Sequence, residues 1–233
     1  MQRIPEPELM NDAGQVTAYA AADFNTTDAR FIERFRELFG ENFAGRMLDL
    51  GCGPGNISLR MAAAFPQARI TGVDGADAML AVARQRAAEL PESNGRLAFI
   101  EATLPHVWQD ETRYDAIVCN SFLHHLHDPM VLWQAVQMHA AEGCRILCVD
   151  LRRPASPEAA RQLQATHVAN EAAILQEDFY NSLLAAFTAE EVCAQLAAAG
   201  LDYLQIREKE DRYLEVSGRF SSVSDSKSGP ESR

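Results

Sequence analysis

The chain has 233 residues and a mass of 25.7 kDa, a length that fits one domain with additions or two small domains. Its 33 acidic and 21 basic residues give a formal net charge of −12, which disfavours nucleic acid and anionic membranes as partners. No apolar run approaches the ~20 residues of a membrane helix, and residues 1–10 lack the apolar centre of a signal peptide. We therefore expect a cytoplasmic protein.

The cysteines predict neither disulfides nor a zinc site. There are five, none of them forms a C-x-x-C pair, and most lie in apolar runs, where a free thiol is a small buried hydrophobe. A reducing compartment fits this usage best.

We predict a helix in the N-terminal part of the chain. Residues 1–14 are polar and contain proline, whereas residues 18–39 are helix-prone. Within them, Phe31, Phe35 and Phe39 recur at i, i+4 and i+8 and therefore share one face. We expect this aromatic face to pack in the core.

Short apolar runs and helix-forming segments alternate in the middle of the chain. The runs are continuous, as in strands that are buried on both faces of a parallel sheet. The predicted strands are 46–50, 69–73, 97–101, 116–120 and 144–150, and the predicted helices between them are 57–65, 76–90 and 129–141. This alternation predicts an α/β sheet with helices on both faces.

The last third of the chain begins with helical patterns. We predict helices over 157–175 and 178–187. A third helix begins at a capping box formed by Thr188 and Glu191 and ends at Gly200.

Two short strands and a polar tail follow. Residues 201–209 and 212–216 read as strands joined at 210–211, an antiparallel hairpin that closes the sheet. Residues 218–233 are rich in serine and poor in apolar side chains, so we expect a disordered tail.

A glycine-rich turn after the first predicted strand is the most informative motif. The stretch MLDLGCGPGN, residues 47–56, has Asp49 in the strand and then Gly51, Gly53 and Gly55 before a helix. Such a turn lets the backbone approach a ligand closely, and open α/β sheets bind ligands at this edge.

Two cofactor classes use this architecture. A dinucleotide site has the spacing G-x-G-x-x-G, but here the third glycine comes one residue early and Asn56 occupies the required position. Asp49 would also lie close to a pyrophosphate, where a second negative charge is unfavourable. A cofactor with an ammonium group and no phosphate suits Asp49 better.

Asp49 and the three glycines resemble motif I of the class I S-adenosylmethionine-dependent methyltransferases, D/E-x-G-x-G-x-G. Asp74 ends the second strand, where a carboxylate can accept hydrogen bonds from both ribose hydroxyls. Residues 101–105 match the end of the third strand, with Glu101 in place of the more usual Asp, and residues 114–127 resemble the fourth-strand motif. The resemblance covers residues 47–150 closely and the C-terminal hairpin more loosely.

The resemblance implies a Rossmann-like, doubly wound sheet of seven strands with the last strand antiparallel. It divides the chain into an N-terminal helical lid (1–40) and a methyltransferase domain (41–217) with a helical insertion (154–187), before the tail. It also implies S-adenosyl-L-methionine as the cofactor and S-adenosyl-L-homocysteine as the product. The implied cofactor-binding residues are Tyr19, Asp49, Gly51, Cys52, Gly53, Asn56, Asp74, Gly75, Met79, Ala102, Thr103, Asn120 and Ser121.

Histidines follow the fourth strand at the ligand-binding edge. His124 and His125 are the candidate catalytic groups, because an imidazole is easily poised as a base near neutral pH. Packing of the loop is an equally open interpretation. A metal site with His127 and Asp128 is disfavoured, because successive residues point in different directions and no distant ligand pattern supports it, so we expect no bound metal.

Substrate contacts are expected from the variable parts of the chain. Arg152 and Arg153 follow the fifth strand and could clamp a carboxylate or phosphate, with a solvated pair as the alternative. Tyr180, with Phe179 and Asn181, lies in the insertion, where such enzymes usually build substrate walls.

The resemblance therefore predicts a methyltransferase acting on a small molecule, and it leaves a homodimer open. Two alternatives remain, because the fold does not define the substrate. One is a methyltransferase acting on RNA or protein, which needs a docking surface. The other is a non-catalytic module that binds S-adenosylmethionine. A nicotinamide reductase is disfavoured by the glycine spacing.

Overall fold

One mixed sheet of seven strands organises the structure, a computed structural model that describes residues 1–7, 9, 13–90, 95–104 and 112–222. The strands are β1 (Arg46–Leu50), β2 (Arg69–Asp74), β3 (Leu97–Glu101), β4 (Tyr114–Asn120), β5 (Ala140–Leu151), β6 (Gln205–Lys209) and β7 (Tyr213–Arg219). They lie in the order β3-β2-β1-β4-β5-β7-β6. The first five pair in parallel, and β7 is antiparallel to both β5 and β6. This confirms the predicted doubly wound sheet with an antiparallel last strand.

Helices cover both faces of this sheet. They are α1 (Ala13–Ala21), α2 (Asn25–Phe39), α3 (Asn56–Ala64), α4 (Asp77–Ala88), α5 (Met130–His139), α6 (Pro157–His167), α7 (Ala173–Ala185) and α8 (Ala189–Ala198), with a short 3-10 turn at Leu123–His125. Within the ranges that the structure describes, every helix is too short or too polar to cross a bilayer.

Two helix boundaries differ from the predicted ones. The N-terminal helical stretch divides into α1 and α2, because Asp23 accepts a hydrogen bond from the backbone N–H of Asn25 (2.9 Å) and turns the chain there. In the insertion, the break falls at 168–172. The side-chain amide of Gln176 donates to the carbonyls of Ala169 (3.2 Å) and Glu171 (2.9 Å), which closes this connection.

The core lies on both sides of the sheet, as the continuous apolar strands predict. Successive residues of β1 face opposite sides: Met47 packs with α2 and α3, whereas Leu48 packs with α5 and α8. Phe31 and Phe35 of α2 are buried on the first side, and Phe39 is partly buried beside them. The aromatic face of α2 is therefore core packing, as expected.

A buried ion pair fastens α2 to the C-terminal hairpin. Arg34 donates from Nε and Nη2 to the two carboxylate oxygens of Glu215, at 2.7 and 2.8 Å. Glu215 is only 1% exposed, and Ser217 donates a further hydrogen bond to it (3.0 Å). Bidentate Arg–carboxylate geometry fixes orientation as well as distance, so α2 has one position over the sheet.

The end of the described chain is more ordered than the serine-rich composition predicts. Gly218 and Arg219 belong to β7, and Phe220 is buried in the core beside α8. The strand pairs with β5 through Arg219, so residues 218–220 do not belong to the expected tail. Residues 223–233 lie outside the described residues.

The predicted capping box at α8 is present. Thr188 Oγ1 accepts from the backbone N–H of Glu191 (3.3 Å), and the Glu191 carboxylate accepts from the N–H of Thr188 (2.9 Å).

We expect Thr188→Ala to lower the free energy of unfolding by about 1 kcal/mol, because the N–H of Glu191 loses its acceptor. Urea unfolding followed by circular dichroism measures this change. Thr188→Ser keeps a hydroxyl and should retain most of the stability; equal losses in both variants would contradict the capping role.

Candidate active site

A cavity of about 570 Å³ lies at the carboxyl ends of β1, β2 and β4. The glycine turn and these strand ends form its floor, and α1, α2 and the α6–α7 region form its cover. The predicted site residues that line it are Tyr19, Asp49, Gly51, Cys52, Gly53, Asn56, Asp74, Gly75, Met79, Asn120, Ser121, His124 and His125. The fold thus brings most of the predicted cofactor positions together.

Two glycines of the turn serve different purposes. Gly51 has φ +70°, and a Cβ there would lie 2.2 Å from the ring of Phe122. Any side chain at position 51 would therefore clash with Phe122. Gly53 has φ +50°, but a Cβ there would meet no atom within 4 Å. Because Gly53 lines the cavity, this open space is part of the candidate site.

Asp74 connects the end of β2 to the glycine turn. One carboxylate oxygen accepts the N–H of Gly53 and the other accepts the N–H of Ala76, both at 2.8 Å. Burial raises the pKa of Asp74, although these hydrogen bonds oppose the shift. The carboxylate keeps further lone pairs for a ligand at the cavity wall.

Asp49 supplies a second buried acid in β1. It is 1% exposed and accepts a hydrogen bond from the Ser58 hydroxyl (2.6 Å). Burial raises the pKa of Asp49 to about 7, and the negative charge of Asp74 adds to the shift. A cationic group in the cavity would therefore stabilise the charged form of Asp49.

Asp150, at the end of β5, organises the loop after β4. Its carboxylate accepts the N–H of Phe122 (2.9 Å) and lies 2.5 Å from Nδ1 of His124. In the same loop, Ser121 has φ +52°, an uncommon conformation for a residue other than glycine. The constrained loop places Asn120, Ser121 and the two histidines at the cavity. Asp150 was not among the sequence candidates.

The two candidate catalytic histidines differ in electrostatics. Burial alone would lower the pKa of His124, but Asp150 and Glu6 raise it above the usual value. Burial lowers the pKa of His125 to about 3, and the neighbouring His124 adds to the shift. Burial alone would raise the pKa of Asp150, but His124 lowers it overall. His124 therefore lies beside a carboxylate on each side, whereas His125 is a neutral ring.

The N-terminal segment reaches this loop through Arg3 and Glu6, which were not among the sequence candidates. Arg3 donates to the carbonyls of Ala185 (2.5 Å), His124 (2.8 Å) and Leu126 (2.9 Å). Glu6 Oε1 lies 3.4 Å from Nε2 of His124, and the Ser182 hydroxyl donates to the Glu6 carboxylate (3.1 Å). These residues are polar and show no periodicity, so no local signal could have found them.

Leu9 covers a second part of the cavity. A Cβ on Gly75 would lie 2.7 Å from side-chain carbons of both Leu9 and Thr103. Ala102 donates its N–H to the carbonyl of Asp74 (3.0 Å). Ala102 and Thr103 therefore flank Gly75 but do not line the cavity. Pro105, the end of the predicted third-strand motif, lies outside the described residues.

The predicted substrate residues Arg152, Arg153 and Tyr180 do not line the cavity, and their role stays a prediction. Arg152 pairs with Glu208 (2.9 Å), and Arg153 is buried and pairs with Glu191 (2.5 Å). Both guanidinium groups are thus paired with acids outside the cavity lining. The ring of Tyr180 packs against the guanidinium group of Arg161, whose Cζ lies 3.4 Å from the ring centroid.

His127 and Asp128 each contact backbone groups. His127 Nε2 lies 2.9 Å from the Glu6 carbonyl oxygen, and Asp128 accepts the N–H of Met130 (2.9 Å). The donor group that the described residues do bring together consists of Glu6, His124 and His125, whose ligand atoms lie within 4.8 Å of one another.

Comparison with known proteins places the glycine turn in a known domain. Residues 47–137 match a family model described as a methyltransferase domain. Trans-aconitate 2-methyltransferase of Variovorax paradoxus is 41% identical over 85 residues, which are 36% of this chain and 30% of that protein. The chain thus spans under a third of the length of the curated relatives that it matches.

Solved structures share the fold at low identity. The plantazolicin methyltransferase BpumL in complex with SAH has a TM-score of 0.65 and 15% identity, over 89% of this chain and 92% of that chain. Haemonchus contortus phosphoethanolamine N-methyltransferase 2 has a TM-score of 0.63 and 16% identity, over 83% of this chain and 43% of that chain. This likeness and the observed strand order show that the chain shares the fold of these methyltransferase structures, and residues 47–137 of it match the methyltransferase-domain model.

Proposed function

We propose that this chain is an S-adenosylmethionine-dependent methyltransferase whose acceptor is a small molecule. The observation that carries the proposal is the position of Asp74, which holds the N–H of Gly53 at the wall of an open cavity while Asp49 lies buried nearby. The methyltransferase-domain match over residues 47–137 supports the same cofactor class.

The cavity residues fit the chemical groups of this cofactor. When bound, S-adenosylmethionine supplies a methyl group on a sulfonium centre. Asp74 has acceptor capacity for two hydroxyl groups beyond its backbone hydrogen bonds. Asp49 offers a buried negative charge to an ammonium group. Met79 is buried beside Tyr19 and presents an apolar surface on which a flat ring can pack.

The chain contributes alignment and exclusion of water more than acid–base chemistry. Direct displacement requires the acceptor atom, the methyl carbon and the sulfur to lie in line, and a covered cavity provides this positioning. Leu175 and Phe179 of α7 line the cavity. Substrate contact by Phe179, which the sequence analysis expects, therefore remains a proposal.

The catalytic role of His124 and His125 remains a prediction. Both histidines line the cavity, but the ring nitrogens of His124 face the carboxylates of Asp150 and Glu6. In this arrangement, neither nitrogen is therefore placed to take a proton from the molecule that receives the methyl group. Methyl transfer needs a base only where the nucleophile has a proton to lose.

The charge of the cavity restricts the acceptor. Its lining contains ten Asp or Glu residues and four Lys or Arg residues. Such an excess of acids disfavours a polycarboxylate acceptor. We propose a neutral or cationic acceptor. A cytoplasmic location and a homodimer stay predictions.

Calorimetric titration with S-adenosylmethionine and, separately, with NADH tests the proposal. We expect binding of the former alone, followed by release of S-adenosylhomocysteine when an acceptor is added. Preference for NADH would overturn the cofactor class. Tight binding without turnover over a broad acceptor screen would favour the non-catalytic alternative.

We expect Asp74→Ala to weaken binding of S-adenosylmethionine by at least about tenfold, since charge-assisted hydrogen bonds contribute about 1.5–3 kcal/mol each. Asp77→Ala is the matched control, because Asp77 is a nearby exposed acid that pairs only weakly with Arg84 (3.7 Å). Calorimetry gives both dissociation constants. Equal affinities in the two variants would show that Asp74 is not a ligand.

Gly53→Ala should block the cavity while leaving the fold in place. A Cβ there enters open space, and the left-handed backbone conformation costs roughly 1–2 kcal/mol for alanine. Gly200→Ala carries the same backbone cost at an exposed position with φ +64°. We expect similar stability losses in both variants, but loss of cofactor affinity in Gly53→Ala alone. Unchanged affinity in Gly53→Ala would place the ligand elsewhere.

Cofactor affinity should rise with pH up to about 7. The carboxyl group of Asp49 has a pKa of about 7 in the free protein, and an ammonium ligand stabilises its charged form, so binding below this pH must release a proton. Above a pH of about 8, affinity should fall as the ligand's own amino group loses its proton. Calorimetry in two buffers of different ionisation enthalpy measures the proton release. Asp49→Asn should abolish the rise; an unchanged rise would exclude Asp49.

A further inference from the structure

We propose that Glu6, His124 and His125 form a binding site for a divalent transition-metal ion of the zinc class. The site lies at the cavity wall and joins the N-terminal segment to the loop after β4. It goes beyond the proposed methyl transfer and does not depend on it.

The donor atoms are spaced like ligands of one ion. Glu6 Oε1 lies 3.1 Å from Nδ1 of His125 and 3.4 Å from Nε2 of His124. Zinc binds carboxylate oxygens and imidazole nitrogens at ~2.0–2.2 Å, so ligands in a tetrahedral arrangement are roughly 3.3–3.5 Å apart. Both spacings between the carboxylate and the rings are close to this value.

The support of His124 leaves its Nε2 available to an ion. Asp150 contacts Nδ1 at 2.5 Å and is itself held by the N–H groups of Phe122 (2.9 Å) and Leu151 (2.6 Å). A carboxylate on one ring nitrogen keeps the proton on that nitrogen and the lone pair on the other. Metal-binding histidines receive this support in most sites, and here the other ring nitrogen, Nε2, faces Glu6.

The second imidazole of the site is that of His125. An ion pair between Glu6 and His124 alone would leave Nδ1 of His125 without a partner. Its Nδ1 is buried and, within the described part of the chain, has no hydrogen-bond partner. Glu6 Oε1 is close to this nitrogen but without hydrogen-bond geometry. Leaving such a buried polar atom unsatisfied costs about 1–3 kcal/mol. A cation between the nitrogen and the carboxylate removes this cost.

The donor set identifies the class of ion. Two imidazoles and one carboxylate favour zinc and similar ions, whereas magnesium and calcium prefer oxygen ligands. Three protein ligands leave a fourth position, as in catalytic zinc sites. Because both histidines line the cavity, a water molecule or an acceptor oxygen can take this position.

A titration of the chelator-treated full chain with Zn²⁺ by calorimetry, and with Co²⁺ by visible absorption, tests the site. The protein carries Cys193→Ser, because Cys193 is the exposed free thiol. We expect one equivalent to bind. Glu6→Gln and His125→Gln should each weaken binding by at least about 10- to 100-fold, the loss typical even for supporting residues of metal sites.

His167→Gln is the control, because it removes another cavity histidine, one that lies 2.7 Å from Asp211, and should leave the affinity unchanged. Hydrogen exchange gives a second readout: Zn²⁺ should slow exchange at residues 3–7 in the parent and not in His125→Gln. Absence of binding, equal affinity in all variants, or binding without slower exchange at residues 3–7 would overturn the proposal. Circular dichroism establishes that each variant is folded.

Discussion

Hydrogen bonding between buried carboxylates and backbone N–H groups holds the ligand edge of the sheet together. Asp74 of β2 accepts the N–H of Gly53 in the turn after β1, and Asp150 of β5 accepts the N–H of Phe122 in the loop after β4. Each acid thus links one strand to the turn that follows its neighbour. Parallel pairing makes this possible, because it brings the carboxyl ends of these strands to one edge. A hydrocarbon side chain at either position would leave buried N–H groups without an acceptor.

The same acids set the chemistry of the cavity. Burial raises the pKa of Asp49, the nearby charge of Asp74 adds to the shift, and a cationic ligand would stabilise the charged form. The structural and binding roles of Asp74 therefore cannot be separated by removing its charge alone. The comparison of Gly53→Ala with Gly200→Ala isolates occupancy of the cavity, because it changes volume and leaves every charge in place.

The sheet and the glycine turn are predictable from the sequence because their determinants are local. Apolar runs specify the strands, and the spacing from Asp49 to Gly55 specifies the turn. The contacts of Arg3 and Glu6 with α7 and the loop after β4 are not predictable in this way, since they join residues more than a hundred positions apart. The ion pairs of Arg152 and Arg153 are not predictable for a related reason. The sequence shows that two cations follow β5, but only the fold shows that acids stand beside them.

The bidentate pair between Arg34 and Glu215 anchors α2 more firmly than α1, although both helices cover the cavity. It fastens α2 to β7 through a carboxylate with almost no exposure to solvent, whereas α1 buries the side chain of Val16 in a small cluster with α4. Local unfolding occurs most easily in the parts of a protein that have the fewest buried contacts. The rate at which a bound molecule exchanges with solvent should therefore be set by α1, while α2 keeps its place throughout the exchange.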